Sequence, residues 1–437
     1  MAIDITNKNE KKVNLNGKQI ENALLFTNEY FNTVQTTYTI GIPGELGFGV
    51  GAIPNNSIPS GMYAMEGHYD KSSANYGNII DATGSQMVAI PKFYYKIVGN
   101  QFLISSVQYA DYVLHRMFIN AGVELDYVLV DKYGCGKVNG IFASKQGIDP
   151  CSTSSAHNPI SALNNAPANN YGGLYKAVKT RGADYFLASI FIRNGLAMLA
   201  KAHADAGTIA TCAFKDVLPY LPKGNNNNAL KDTNDTAVTF TASGYSNCAM
   251  TGSGVPFAKT THNGQNCGVA DLNGNMYEVV SGFIRYDATG FLILKESVDI
   301  KSILTDDATT GAGGAYDKNL YDVVDLSLLI PSTETGAWIN FGNGSNQVFA
   351  MSTVRTSNDY KKTSLGMPIS TGVSAGGTTE FGNDGLYKYL RNEMACPCGL
   401  GWSNGSHAGV FSMDLHTARN YSDDSVGGRA SYNVKMS

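Results

Sequence analysis

Between Met87 and Ser105 the chain reads MVAIPKFYYKIVGNQFLIS, in which aromatic and β-branched runs are separated by Gly99-Asn100. Gly-Asn between such runs is a turn dipeptide, so the pattern predicts strands joined at that point. The Lys92–Lys96 stretch reads as an ordinary strand with Phe93 and Tyr95 on its inner face; stacking on sugar rings is the alternative. DYVLVDKYG, from Asp126 to Gly134, is a short apolar run with polar flanks and suits a buried strand. The pattern shifts to helical spacing from Asp184 to Gly207. Leu187, Ile190, Phe191, Met198 and Ala202 recur there, Asp184 is a candidate start cap and Gly207 a candidate stop. Gly195 in the middle argues against an uninterrupted helix.

Two stretches break both periods. Gly41–Gly61 is rich in Gly and Pro and is incompatible with a long helix or a central strand, so it is expected to be extended and to pack against something else, such as a neighbouring subunit. KGNNNNALKDTNDT, Lys223 to Thr236, is low in complexity and expected to be a surface loop. From about Ser243 onward, Gly and Asn recur between short strand-like pieces, a pattern of long ordered loops on a small scaffold. No internal repeat is visible.

Composition narrows the function classes. A chain of 437 residues with 43% hydrophobic content can bury a sizeable core. Its net charge is only −4, and no Lys/Arg cluster provides the footprint of a nucleic-acid binder. Charged residues make up just 16%; Asn, Ser, Thr, 48 Gly and 25 Tyr take their place, which favours strands, turns and loops over a helical bundle. No apolar run is long enough to span a membrane, and the N-terminus has no apolar leader, so synthesis in a cytoplasm without the usual export is expected. The seven cysteines are odd in number and widely spaced, which suits buried free thiols better than a disulfide framework. Cys396 and Cys398 form a Cys-x-Cys pair with no second pair at zinc-site spacing.

The most specific internal signal is GVADLNGNMYEVVSGF, Gly268 to Phe283, where Asn273-Gly274-Asn275 makes a tight turn into a strand carrying Met276, Val279 and Val280. DLNGNMYEV resembles the Asn-Gly-Asn-aromatic-Glu motif of the formylglycine-generating-enzyme type of C-type lectin fold. DYVLVDKYG resembles that family's early strand, RNGLAMLAKAHAD one of its helices, and the ending from Gly399 to Ala430 its Gly-Gly-Ser-Trp to Gly-Phe-Arg close. The resemblance covers roughly residues 85–437. Two departures stand out: GLGW replaces Gly-Gly-Ser-Trp, and Gly428 stands where Phe is expected before Arg429.

The resemblance implies three functions for such a fold. Copper-dependent oxidation of a sulfatase cysteine needs thiols between the Trp motif and the closing Arg, but no Cys follows Cys398. Iron-dependent sulfoxide chemistry needs a His cluster, and the His residues show no helical pairing. Binding alone remains. The last stretch is similar to the variable region of proteins diversified by retroelements, in which adenines of Asn AAC codons are altered. The positions matching template Asn are Ser403, Asn404, His407, Asp414, His416, Thr417, Tyr421, Asp423, Asp424 and Ser425, each of them Asn or a single-adenine neighbour of it. Trp402, Gly405, Gly409, Phe411, Leu415 and Gly427 look like scaffold between them, with Phe411, Met413 and Leu415 alternating as one face of a strand should. By the same resemblance Asn273, Asn275 and Glu278 are candidate Ca²⁺ ligands, since oxygen donors suit a hard cation; an ordinary structural turn is the alternative.

The expected class is therefore α+β: a C-type-lectin-like domain of the formylglycine-generating-enzyme type, with long ordered loops and an extended N-terminal segment. The expected layout is residues 1–60 for attachment and oligomerisation, 61–115 as a small β-rich lead-in, and 116–437 as the ligand-binding domain. The expected function is a phage or virus tail-fibre or spike protein that recognises a host cell-surface protein or glycan. It would sit on the virion as a homotrimer, joined to other virion proteins, without membrane insertion, nucleic acid or catalysis. The rivals are an enzyme of the formylglycine-generating type and a structural virion protein without a ligand.

Overall fold

The computed structural model describes residues 12–15, 18–21, 39–216, 238–240, 248–253, 257–304, 314–341, 347–369, 373–374 and 380–436. The Lys223–Thr236 stretch lies outside them. The architecture is mixed, with 16% helix and 27% strand, which places the chain in the α+β class rather than among helical bundles.

Two sheets organise the molecule. The first has six strands, in the spatial order Phe186–Leu187, Ala430–Val434, Tyr127–Asp131, Gln86–Pro91, Asn78–Asp81 and Met62–Ala64. Tyr127–Asp131 is central and buried at every position, as its apolar run predicts. It pairs antiparallel with Ala430–Val434 on one side and Gln86–Pro91 on the other, so the sheet joins the last strand to strands from the first third of the chain. The second sheet has nine strands and includes Tyr277–Arg285, Met394–Cys398, Met413–Asp414, Gly385–Lys388 and Ala337–Phe341. The predicted turn at Gly99-Asn100 joins Tyr94–Val98 to Gln101–Ser105, with Val98 opposite Gln101 and Gly99 at φ +60°. Phe93 and Tyr95 are both buried, as expected for an inner face.

The predicted helix forms, but it starts later than Asp184. It spans Ile190–Ala206, and Ser189 caps it by accepting from Ile192 N. The reason is tertiary: Phe186–Leu187 pairs with Ser431 and Ala430 as an edge strand, which removes these residues from the helix. Gly207 ends the helix as expected. Gly195 does not interrupt it. A Cβ at that position would lie 2.5 Å from Met117 Sδ and 3.1 Å from a His115 ring carbon, so Gly195 lets the 3₁₀ turn Arg116–Phe118 approach the helix closely. Nearly the whole helix is buried, and its polar residues are paired, with Arg193 on Glu278 and Lys201 on Asp205.

The Gly/Pro-rich stretch corrects the expectation of packing on a neighbouring subunit. Ile40, Phe48, Val50, Ala52 and Ile53 are fully buried in the chain's own core. Side chains distant in sequence satisfy the backbone. Gly44 N donates to His203 Nδ1 (3.0 Å), Gly47 N to Gln265 Oε1 (2.8 Å) and Ile53 N to His68 Nε2 (3.0 Å), while Asn263 Nδ2 donates to Phe48 O (2.9 Å). Most buried hydrophobic residues form one continuous cluster from Ile40 to Val434. The segments expected as 61–115 and 116–437 therefore share both a sheet and a core. Among the described residues no helix is long and apolar enough to cross a membrane.

Candidate functional site

The closing stretch is anchored at both ends. Trp402 N donates to Asn275 O (3.1 Å), and Gly274 N donates to the carbonyls of Gly399 and Leu400, so the Asn-Gly-Asn turn holds the start of the stretch. Gly274 has φ +73°, a conformation glycine adopts without steric cost. At the other end Arg429 is buried with Glu278: its Nε donates to Oε1 at 2.7 Å, and other N–H groups reach the carbonyls of Asp131 and Ala270. Arg193 Nη1 takes Oε2 of the same Glu278 at 3.1 Å. One carboxylate is thus held between two guanidiniums and ties the last strand of the first sheet to the second sheet.

That arrangement corrects the Ca²⁺ expectation. Both oxygens of Glu278 are engaged by arginines, whose charge repels a cation. Asn275 Oδ1 accepts from Ala249 N (2.9 Å) and its Nδ2 donates to Ala249 O (3.0 Å), so this side chain clasps backbone. Asn273 is fully buried in the turn.

Between the anchors, apolar and polar side chains separate. Trp402, Phe411, Met413, Leu415 and Arg429 are buried, and Phe411 lies among Phe102, Phe341, Phe349 and Phe381. Gly409 leaves room for Asp384, which accepts from Phe411 N at 2.9 Å; a Cβ there would sit 1.6 Å from an Asp384 oxygen. None of the predicted binding positions is buried. Ser403, His416 and Tyr421 are exposed, and Asn404, His407, Asp414, Thr417, Asp423, Asp424 and Ser425 are half-buried.

Several of these side chains converge on Tyr277. Asn404 hydrogen-bonds it, and Asp414, Tyr421 and Asp423 act on its hydroxyl electrostatically; burial first and these carboxylates second push that hydroxyl well above its ordinary range. Tyr421 donates to Asp423 Oδ2 at 2.9 Å, and burial followed by that bond raises its hydroxyl to about 12. Burial also raises the Asp414 carboxyl. For Asp423, burial acts upward, but hydrogen bonds led by Ser425 outweigh it and hold the carboxyl low; Asp424 is raised by burial and by sharing a hydrogen bond with Asp423.

The sequence pattern missed an aromatic shelf beside these groups. Half-buried Trp338, Tyr387 and Tyr389 stand on and just beyond the strands Ala337–Phe341 and Gly385–Lys388. His407 stacks on Trp338 with centroids 4.7 Å apart and planes 15° apart; Trp338 lies 5.1 Å from Tyr387; His416 meets Tyr389 edge-on at 4.7 Å. Arg391 sits over Tyr389 and donates through Nε to His416 O at 2.6 Å. The one available signal was the Tyr-x-Tyr alternation at 387 and 389, which puts both rings on one side of a strand. The resulting face offers flat aromatic area flanked by carboxylates, an amide, imidazoles and a guanidinium. Such groups suit stacking and directional hydrogen bonding to a ligand.

Cys396 and Cys398 lie two residues apart on a buried strand. A hydrogen bond with Cys398, followed by burial, pushes the Cys396 thiol well up, away from the thiolate form. No protein-family model matches the chain, and no curated protein matches it.

Proposed function

We propose that the chain is a receptor-binding protein of a phage or virus particle, with a C-type-lectin-like domain that displays the face from Ser403 to Ser425 to a host cell-surface protein or glycan. The observation that carries this reading is the partition of the closing stretch: every position matched to a variable codon is at least partly exposed, while Phe411 and Leu415 between them and Trp402 and Arg429 flanking them are buried. A surface that tolerates many residues has to be decoupled from the core, because large-to-small changes in a core cost roughly 2–5 kcal/mol whereas exposed changes stay within about 0.5 kcal/mol. The antiparallel pairing of Tyr127–Asp131 with the last strand, and the Glu278–Arg429 tie, supply a rigid frame that fixes the loop side chains before the ligand arrives. The shelf of Trp338, Tyr387 and Tyr389 adds contact area next to the variable positions. Attachment to the particle, and trimer formation, are assigned to the residues before Ile40, since Ile40, Phe48, Val50, Ala52 and Ile53 belong to the domain's own core.

The test is sequencing of the gene's 3′ end across many isolates, together with its flanking DNA. Substitutions should concentrate at the matched positions, arise at adenines, and lie near a reverse-transcriptase gene with a near-copy of the region. Substitutions spread evenly over Trp402, Phe411 and Leu415 as well would overturn the reading.

A further inference from the structure

Below the 422–426 loop lies a group of side chains that the binding face does not use. Asp149 and His157 belong to one tight loop. Asn158 folds it back by donating to the carbonyls of Asp149 (2.8 Å) and Pro150 (3.1 Å), which brings His157 Nε2 to 3.0 Å from Asp149 Oδ1. Cys248 arrives from a separate segment. That segment is pinned by the Asn275–Ala249 clasp and by Thr251 N donating to Ile148 O at 3.0 Å. One donor atom from each of Asp149, His157 and Cys248 lies within 4.8 Å of the others.

We propose that Asp149, His157 and Cys248 form a zinc site beneath the 422–426 loop. The donor set is one carboxylate oxygen, one imidazole nitrogen and one sulfur, which suits a borderline-soft ion and is too poor in oxygen for calcium or magnesium. His157 Nε2 and Asp149 Oδ1 are 3.0 Å apart, near the roughly 3.3 Å edge of a tetrahedron built on ordinary zinc–nitrogen and zinc–oxygen bonds, and with Cys248 within 4.8 Å of both, shifts of at most about 1–1.5 Å close the site. Zinc–sulfur bond formation releases the Cys248 proton to solvent, and the resulting thiolate together with the Asp149 carboxylate balances the charge of the ion. Cys248, Met276 and Trp402 form a small apolar cluster of their own, a dry wall on one side of the sulfur. The Asp424 carboxylate lies near enough to act electrostatically on both His157 and Cys248, and water would supply the remaining coordination position.

The consequence is mechanical. Thr153, in the same loop as His157, holds the displayed stretch: its Oγ1 accepts from Asp423 N (3.0 Å), and its N donates to Val426 O (2.9 Å). An ion bridging the 149–157 loop to Cys248 would lock that clasp, so its binding energy adds to the stability of the region.

Untagged protein, stripped of metal, is titrated with zinc in competition with a chromophoric chelator, and separately with cobalt. One zinc per chain is expected, with a thiolate-to-cobalt charge-transfer band in the near ultraviolet and a raised Tm. Cys248→Ser and His157→Asn should lose the band and the Tm increase, while Cys267→Ser, a buried cysteine elsewhere, should keep both. Absence of stoichiometric zinc binding by the wild type would overturn the proposal. So would a cobalt spectrum lacking the thiolate band, a reading that depends on no variant folding. Undiminished binding by Cys248→Ser would overturn it as well.

Discussion

The stretches 40–53 and 402–425 share an irregular backbone: neither holds more than short pieces of regular structure. Yet Ile40 and the run Phe48–Ile53 lie inside the molecule, whereas 402–425 buries Trp402, the run Ala408–Met413 and Leu415 and leaves Ser403, His416 and Asn420–Ser422 exposed. In both, remote groups hold the backbone; what differs is how many of the side chains reach the surface. In the first stretch His68, His203, Asn263 and Gln265, all remote in sequence, take its N–H and C=O groups, so an irregular backbone can be buried without loss of hydrogen bonds. In the second, Trp402 N, Leu415 N and Asp423 N reach Asn275 O, Tyr387 O and Thr153 Oγ1, while Asp423 and Ser425 also bond one another locally and side chains such as Tyr421 stay at the surface. An irregular backbone alone therefore does not tell a buried strap from a stretch whose side chains reach the surface.

The sharpest way to break this comparison is to truncate one aromatic in each stretch. Phe48 stacks on His203 at 5.1 Å, and Phe411 sits among four other Phe rings. Phe48→Ala and Phe411→Ala should each cost about 3–5 kcal/mol in urea denaturation. A loss below about 0.5 kcal/mol for Phe48→Ala, the size expected of a surface site, would show that the strap is not part of the core.

Acid should loosen the strap selectively. Burial lowers His68 and His203, and it lowers His262, which bonds Gly49 O, to about 4. A folded-state value below the unfolded one gives stability that is fully present above pH 6.5 and is lost as pH falls toward about 4. For His262 the loss is roughly 3 kcal/mol by about pH 4. Burial raises Asp271 to about 6, and that works in the opposite direction over part of the same window. The useful quantity is therefore the difference between wild type and His262→Gln, which should move by that amount between about pH 7 and pH 4 in denaturation measurements. A difference that stays flat would mean His262 does not hold the strap in its neutral form.

How much of this was legible in the sequence follows the reach of each interaction. The Tyr127–Asp131 strand, the Gly99-Asn100 turn and the helix ending at Gly207 are local patterns, and they were readable. The cap at Ser189 was not, because Phe186–Leu187 is claimed by a strand more than two hundred residues away. The strap was misread for the same reason: its partners are far along the chain. At 273–278 the turn was legible but the role of Glu278 was not, since its neighbours are Arg193 and Arg429. The alternation marked Phe411, Met413 and Leu415 as buried but missed Ser412, which is buried too because its hydroxyl accepts from Gly409 N and Gly385 N, whereas the shelf of Trp338, Tyr387 and Tyr389 and the group of Asp149, His157 and Cys248 needed the tertiary fold.

A smaller effect sharpens the strap's side of the comparison. Gly49 has φ +79°, and a Cβ there would stand 2.8 Å from His262 Nε2. Gly49→Ala should cost about 1–3 kcal/mol through left-handed backbone and crowding of that ring. Gly99 has φ +60° at a hairpin tip with open space around it, so Gly99→Ala should cost only the backbone part, about 1 kcal/mol. Thermal melts that rank the two the other way would mean that contact between the strap and His262 is not what restricts position 49.

The smallest stability effect is expected where the largest binding effect is. Tyr421 is 47% exposed, and its hydroxyl bonds only a neighbouring carboxylate, Asp423. Thr417 is half-buried beside it in sequence, and its backbone oxygen, not its side chain, accepts from Ala395 N at 3.0 Å. Tyr421→Ala and Thr417→Ala should each change stability by no more than about 0.5 kcal/mol, because neither removes a core contact nor leaves a buried donor unmet. If the face binds a receptor, Tyr421→Ala should nevertheless weaken attachment to host cells at least tenfold, since an aromatic anchor near the centre of an interface commonly carries more than about 1.4 kcal/mol. The two measurements separate the two ideas. Unfolding by Tyr421→Ala would show that 402–425 is a structural loop like the strap, and unchanged stability with unchanged attachment would show that the face is displayed but the ligand sits elsewhere.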